Sequence, residues 1–151
     1  MTQAALYVVD ASVFVSDAQP WEAFHADSSA LLTYIANGEA LVITPAIMPC
    51  EVAASIARQT GDPATARQFV YLLQQLPYLE VITIDPTLGN LAADVAAQQR
   101  IRGCDALYVA LAQMYNAVLI TLDQEQRQRV PPSVVARTPA EELCALQNPN
   151  S

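Results

Sequence analysis

Short runs of apolar, mostly β-branched residues recur along this chain at intervals wide enough to hold a helix, and two of them end on an aspartate. Leu6 to Val9 runs into Asp10, and Val118 to Thr121 is followed by Leu122 and Asp123. Ala40 to Thr44 and Val81 to Ile84 are runs of the same kind, and Ser133 to Ala136 is a weaker fifth. None of the first four alternates apolar with polar residues. Unbroken runs are how strands buried on both faces read, whereas strands with one wet face alternate. Parallel neighbours need long crossovers, and the intervening segments supply them.

Ser28 to Asn37 carries apolar residues at Leu31, Leu32 and Ile35 and closes on Asn37-Gly38, a helix C-terminus. Pro49 opens a helix through Arg58, and Gly61-Asp62-Pro63 breaks it before a second helix from Ala64 to Gln75. Leu88 to Gln99 is amphipathic, Asp105 to Met114 follows Gly103, a short helix follows Asp123, and Thr138-Pro139-Ala140-Glu141 starts another. Strands alternating with helices predict an α/β fold, a central parallel sheet of about five strands between helical layers. At 151 residues without a repeat or linker, the expectation is one domain over 1–151.

Composition narrows the function. The chain is 53% hydrophobic, yet no apolar run reaches the roughly 18 residues of a membrane helix. The first residues lack a basic region and lead into a core strand, so a soluble, cytoplasmic protein without a removable signal is expected. Cys50, Cys104 and Cys144 are an odd number with no C-x-x-C pair, which argues against zinc and redox chemistry and reads as buried small hydrophobes. The lone histidine, His25, has no partners for a catalytic triad and reads as an ordinary packing or surface residue. The net charge of −8 opposes a long nucleic-acid track, which needs a basic surface. There is no lysine, but Arg58, Arg100, Arg102, Arg127 and Arg129 sit close in sequence to acidic motifs. A guanidinium fork matches a phosphate bidentately, so a few arginines can grip one scissile phosphate without a basic field.

Four acids recur at corresponding places in the units: Asp10 and Asp123 after strands, Glu51 and Asp105 at helix starts. Each alone is explained by helix capping or by the helix dipole. Capping does not explain their recurrence at one end of successive units, the end at which parallel sheets bind ligands. Carboxylates drawn together repel unless a cation neutralises them. Oxygen-only ligands suit Mg²⁺ or Mn²⁺ rather than zinc or copper, and such an ion can activate water for displacement at phosphorus. Arg58, seven residues after Glu51, and Arg102 are candidate phosphate contacts or ordinary surface charges. Glu125, in Gln124-Glu125-Gln126-Arg127, reads as part of a solvated helix face.

In order and spacing, Val-Val-Asp10-Ala-Ser12, Pro-Cys-Glu51-Val, Arg-Gly-Cys-Asp105-Ala-Leu-Tyr-Val-Ala-Leu-Ala and Leu-Ile-Thr121-Leu-Asp123 resemble the PIN-domain ribonucleases, and among them the VapC-type toxins of toxin–antitoxin modules. The resemblance spans nearly the whole chain, and its strongest piece is the Asp105 segment. It implies a three-layer α/β/α PIN-like fold and metal-dependent hydrolysis of single-stranded or loop RNA. Asp10, Glu51, Asp105 and Asp123 would be the catalytic, metal-binding acids. Ser12 and Thr121 would orient them, as outer-shell groups do, or would serve as plain turn and strand-end caps. A cognate antitoxin and a homodimer are the implied partners, and an antitoxin that inserts a basic side chain would suit an acidic surface.

Two other enzyme or signalling classes fit less well. A haloacid-dehalogenase-type phosphatase wants an aspartate two residues after Asp10, where Ser12 stands, and a receiver-like domain wants a lysine. A PIN-like module that binds without catalysis is the other alternative.

Overall fold

The computed structural model describes residues 4–150, so Met1–Gln3, on which the reading of the chain start partly rests, lie outside the described residues. Five strands form one parallel sheet: β1 Leu6–Val9, β2 Leu41–Pro45, β3 Leu79–Ile82, β4 Val118–Ile120 and β5 Ala136–Arg137, in the order β3-β2-β1-β4-β5. Helices flank it: α1 Ala11–Asp17, α2 His25–Asn37, α3 Met48–Thr60, α4 Pro63–Gln74, α5 Pro86–Gln99, α6 Gly103–Tyr115, α7 Gln124–Gln128 and α8 Pro139–Gln147. The expected α/β class, parallel sheet and strand number all stand. Tyr7, Val8, Val9, Val42, Ile43, Leu119 and Ile120 are buried, as strands covered on both faces require.

The strand order reverses beside β1. From β1 the chain crosses to β2 and then β3 on one side, and later returns to β4 and β5 on the other. Neighbouring crossovers therefore leave the sheet in opposite directions above β1 and β4, and a crevice opens there. Asp10 and Asp123 follow those two strands.

Three elements differ from the sequence expectation. Ala11–Asp17, to which the sequence reading assigned no element, forms a helix: Asp10 caps it by accepting the Ser12 N–H at 3.0 Å, and Val13, Phe14 and Val15 enter the core. β3 lies two residues earlier than expected. Its Val42–Pro45 partners pair with Leu79–Ile82, while Asp85 caps α5 through the Leu88 N–H at 2.8 Å and Thr83-Ile84 bridge the two elements. β5 is only Ala136–Arg137, since a turn closed from Val134 N–H to Pro131 C=O occupies part of the run expected to pair.

The cysteines correct a further expectation. All three are exposed and free, not buried. Cys50 and Cys104 immediately precede Glu51 and Asp105 in the first turns of α3 and α6, and the roughly 100° step of a helix turns adjacent residues to different sides. His25 packs as expected, its Nδ1 lying 3.1 Å from the Ser16 carbonyl.

Candidate active site

A cavity of about 570 Å³ opens at the carboxyl ends of β1 and β4, and all four predicted acids line it. Each arrives by a different local device. Asp10 ends β1 and caps α1, and its backbone N–H continues the ladder to Ile120 C=O at 2.9 Å. Asp123 caps α7, its Oδ1 accepting the Gln126 N–H at 2.9 Å. On α3, Met48, Val52 and Ile56 make the core face, so Glu51, Ala54, Ser55 and Arg58, at helical spacing, present the adjacent stripe to the cavity. Asp105 stands in the first turn of α6, ahead of the buried run Ala106 and Tyr108 to Ala112.

Burial sets the electrostatics. Asp10 is buried, and the loss of solvent pushes its carboxyl pKa up to about 6; the charges of Glu51 and Asp105 push the same way, and hydrogen bonds from Ser12 oppose them. Burial also raises Glu51, where Asp105 adds and the Tyr108 hydroxyl, donating to Glu51 Oε1 at 2.6 Å, offsets. Asp105 is raised by burial too, against the opposing charge and hydrogen bond of Arg102. The Arg102 fork holds two acids at once, with Nε 2.9 Å from Asp105 Oδ2 and an Nη 2.9 Å from Asp123 Oδ2. It does so while itself largely exposed.

Ser12 and Thr121 both make contacts that shape this end of the sheet. The Ser12 hydroxyl accepts the Leu122 N–H at 3.2 Å and so ties the end of β4 to the start of α1. Buried Thr121 accepts the Asp123 N–H at 3.1 Å. Arg58 lines the cavity and, among the described residues, makes no ion pair. Glu125 does not line the cavity; it is exposed and pairs with Arg129 at 2.7 Å, which agrees with its reading as a solvated face, while its charge still adds to the upward push on Asp105.

Two residues of the site were not foreseen. Tyr108 is fully buried three residues after Asp105, which places its hydroxyl beside Glu51. Gln126, 1% exposed, joins the last two acids: its N–H holds Asp123 and its Nε2 donates to the Asp105 carbonyl at 3.1 Å. The sequence signal for Tyr108 is a polar tip within an otherwise apolar helix. For Gln126 it is the Asp-x-x-Gln spacing of a capped first turn.

The donor set suits a hard divalent cation in kind, with oxygen ligands alone and carboxyls whose ionisation burial and mutual repulsion oppose. Among the described residues, no three Asp, Glu, His or Cys side chains stand close enough together to hold an ion as they are placed. Arg102 is the cation that bridges Asp105 and Asp123.

The PIN domain family model matches residues 7–130. No curated protein sequence matches significantly. Among solved structures, the chain is similar to VapC20 of Mycobacterium tuberculosis, described as a sarcin–ricin loop cleaving toxin, at 15% identity over 85% of this chain and 98% of that one, with a TM-score of 0.70. It is similar to PAE2754 of Pyrobaculum aerophilum at 20% identity, covering 95% and 90% of the two chains, with a TM-score of 0.67. VapBC2 of Rickettsia felis, in a complex with a promoter DNA fragment, gives 14% identity, 88% and 98% coverage and a TM-score of 0.68. Identities this low speak to the fold, and the fold agrees with a family model that spans most of the chain. On the sheet order, the acid-lined crevice and that match, the chain belongs to the PIN domain family.

Proposed function

We propose that the protein is a divalent-metal-dependent endoribonuclease, the toxin of a VapBC-type toxin–antitoxin module, working as one domain in the cytoplasm. The observation that carries this reading is the arrival of Asp10, Glu51, Asp105 and Asp123, from four separate elements, at one cavity over the strand-order switch. Those acids would hold Mg²⁺ or Mn²⁺. When bound, the ion supplies an activated water and charge stabilisation for hydrolysis of a phosphodiester.

The chain's own residues have separable roles. Tyr108 fixes Glu51, Gln126 and Thr121 fix Asp123, and Ser12 fixes the loop between β4 and α7. Arg58 contacts the phosphate from the α3 wall, and Arg102 does so once released from the acids. RNA is the substrate class the family supports, and one of the similar structures is a toxin that cleaves the sarcin–ricin loop.

A cognate antitoxin is the proposed inhibitor, in keeping with the VapBC and FitAB toxin–antitoxin assemblies among the similar structures. A homodimer is the proposed assembly, supported by exposed Trp21, Tyr34, Tyr71 and Leu72. No helix among the described residues is long and apolar enough to cross a membrane.

The test is cleavage of structured and single-stranded RNA by purified protein with Mg²⁺, Mn²⁺ or EDTA, alongside Asp10→Asn. Metal-dependent fragments from the wild type, lost in the variant, are expected. Equal cleavage by both proteins, or none under any metal, ends the nuclease reading.

A further inference from the structure

A second, smaller cavity of about 100 Å³ adjoins the acid site and shares two of its walls, Phe24 and Leu122. Pro139 and Ala140 of α8 complete an apolar slot, and Asp27 of α2 and Thr138 stand at its polar edge. Asp27 is half-buried and, among the described residues, its carboxylate accepts no hydrogen bond and makes no ion pair. Thr138 accepts the Glu141 N–H at 3.1 Å, and its own hydroxyl proton has no acceptor among the described residues. Phe24 is 55% exposed, so its ring is open to a ligand from solvent.

We infer that this slot is a nucleobase subsite that selects guanine next to the scissile phosphate. The inference rests on the nuclease reading for the identity of the polymer, but the slot's own chemistry selects the base. A phenyl face gives a stacking platform for an unstacked base, the way single-stranded RNA is usually read. A carboxylate offers two acceptors and no donor, and a threonine hydroxyl can donate.

Of the four bases, guanine alone presents two adjacent donors, N1–H and N2–H, flanked by the O6 acceptor. That edge complements a carboxylate beside a free hydroxyl. Adenine and cytosine each place a ring acceptor next to their amino group, and uracil flanks its single N–H with two carbonyls, so each turns a lone pair toward Asp27. A protein helix fits less well, because with its side chains it is about 10–12 Å across and the slot holds only about 100 Å³. Base contacts here also answer the charge problem: with a net charge of −8, affinity for RNA has to come from stacking and directed hydrogen bonds rather than from a basic field.

The test uses uncharged nucleosides, so that neither metal nor backbone charge enters. Amide ¹H–¹⁵N shifts of the whole protein are followed during titration with guanosine, inosine, adenosine and uridine. Guanosine is expected to move the signals of Asp27, Thr138 and Ala140. Inosine, which lacks only the N2 amino group, should bind about tenfold more weakly, within the range for one good bidentate pair. Asp27→Asn should abolish the preference for guanosine, and Phe24→Ala should weaken every nucleoside.

Equal binding of all four nucleosides, a guanosine preference that survives Asp27→Asn, or shifts confined to other surfaces would overturn the subsite. Failure of every nucleoside to bind while an antitoxin peptide shifts the same amides would also overturn it, in favour of a protein contact. A second readout maps the cut ends of a random-sequence RNA digest, where guanosine enrichment at one position beside the cut is expected. Guanosine selectivity in the spectra with no cleavage of any RNA would sustain the subsite and sink the nuclease reading, so the two can fail separately.

Discussion

Asp10 shows what the site costs the fold. Its carboxyl is buried and its pKa raised to about 6 from an ordinary 3.8, so the folded state holds the proton more tightly than the unfolded state. Between these two values the native protein binds more protons, and by linkage its stability falls as pH rises through that window. A raised acid of this kind is neutral to stability below about pH 4 and destabilising above about 6. The shift of roughly two units corresponds to about 3 kcal/mol at neutral pH. Asp10→Asn keeps an oxygen to accept the Ser12 N–H but removes the buried charge. In EDTA, denaturant melts should therefore show the variant more stable than wild type at pH 7 and nearly equal to it at pH 4. A variant no more stable at pH 7 would mean that the buried charge is already compensated in the metal-free protein. The acid itself was legible from its place after an apolar strand. Its burial and raised pKa were not, since they depend on α1, α3 and α6 closing around it.

Among the elements, α8 is fastened by a buried polar chain that no short sequence window reveals. Glu142, 4% exposed, accepts the Tyr7 hydroxyl from β1 at 2.8 Å and an Arg137 nitrogen from β5 at 2.7 Å. Tyr7 and Glu142 are 135 positions apart in sequence. The phenol pKa is raised, by burial first and by Glu142 second, so Tyr7 is held as the donor. Removing one partner strands the others, and buried groups left unpaired cost more than the bond itself contributes. Glu142→Ala should lower unfolding stability by about 2–3 kcal/mol, and Tyr7→Phe by only about 1, read from urea midpoints at constant m. A Glu142→Ala loss no larger than that of Tyr7→Phe would show that Arg137, 36% exposed, is solvated when its partner goes. Element existence was largely readable from periodicity, but the helical state of Ala11–Asp17 and the two-residue length of β5 were decided by a cap and a proline turn.

For the whole molecule, charge and site make opposing demands, and the proposed function predicts how they balance. If Arg58 and Arg102 are the phosphate contacts, the slope of log K against log salt for single-stranded RNA should be about −1.4, from two contacts at roughly 0.7 each. Filter binding from low to moderate salt, with Asp10→Asn to prevent cleavage, measures it. A slope steeper than about −4 would require a basic track that the chain lacks.

The parallel α/β class, the strand number and the end of the sheet to which Asp10, Glu51, Asp105 and Asp123 come were all legible in the sequence. Those follow from local patterns: unbroken apolar runs, helix punctuation, and acids at fixed places in each unit. Tertiary structure alone decided that Arg102 bridges Asp105 to Asp123, that Tyr108 and Gln126 brace the acids, that the cysteines face water, and that Phe24 and Asp27 meet α8 beside the cavity. These are contacts between residues far apart in the chain or choices of helix face, and they exist only once the strand order has brought the ends of β1 and β4 together.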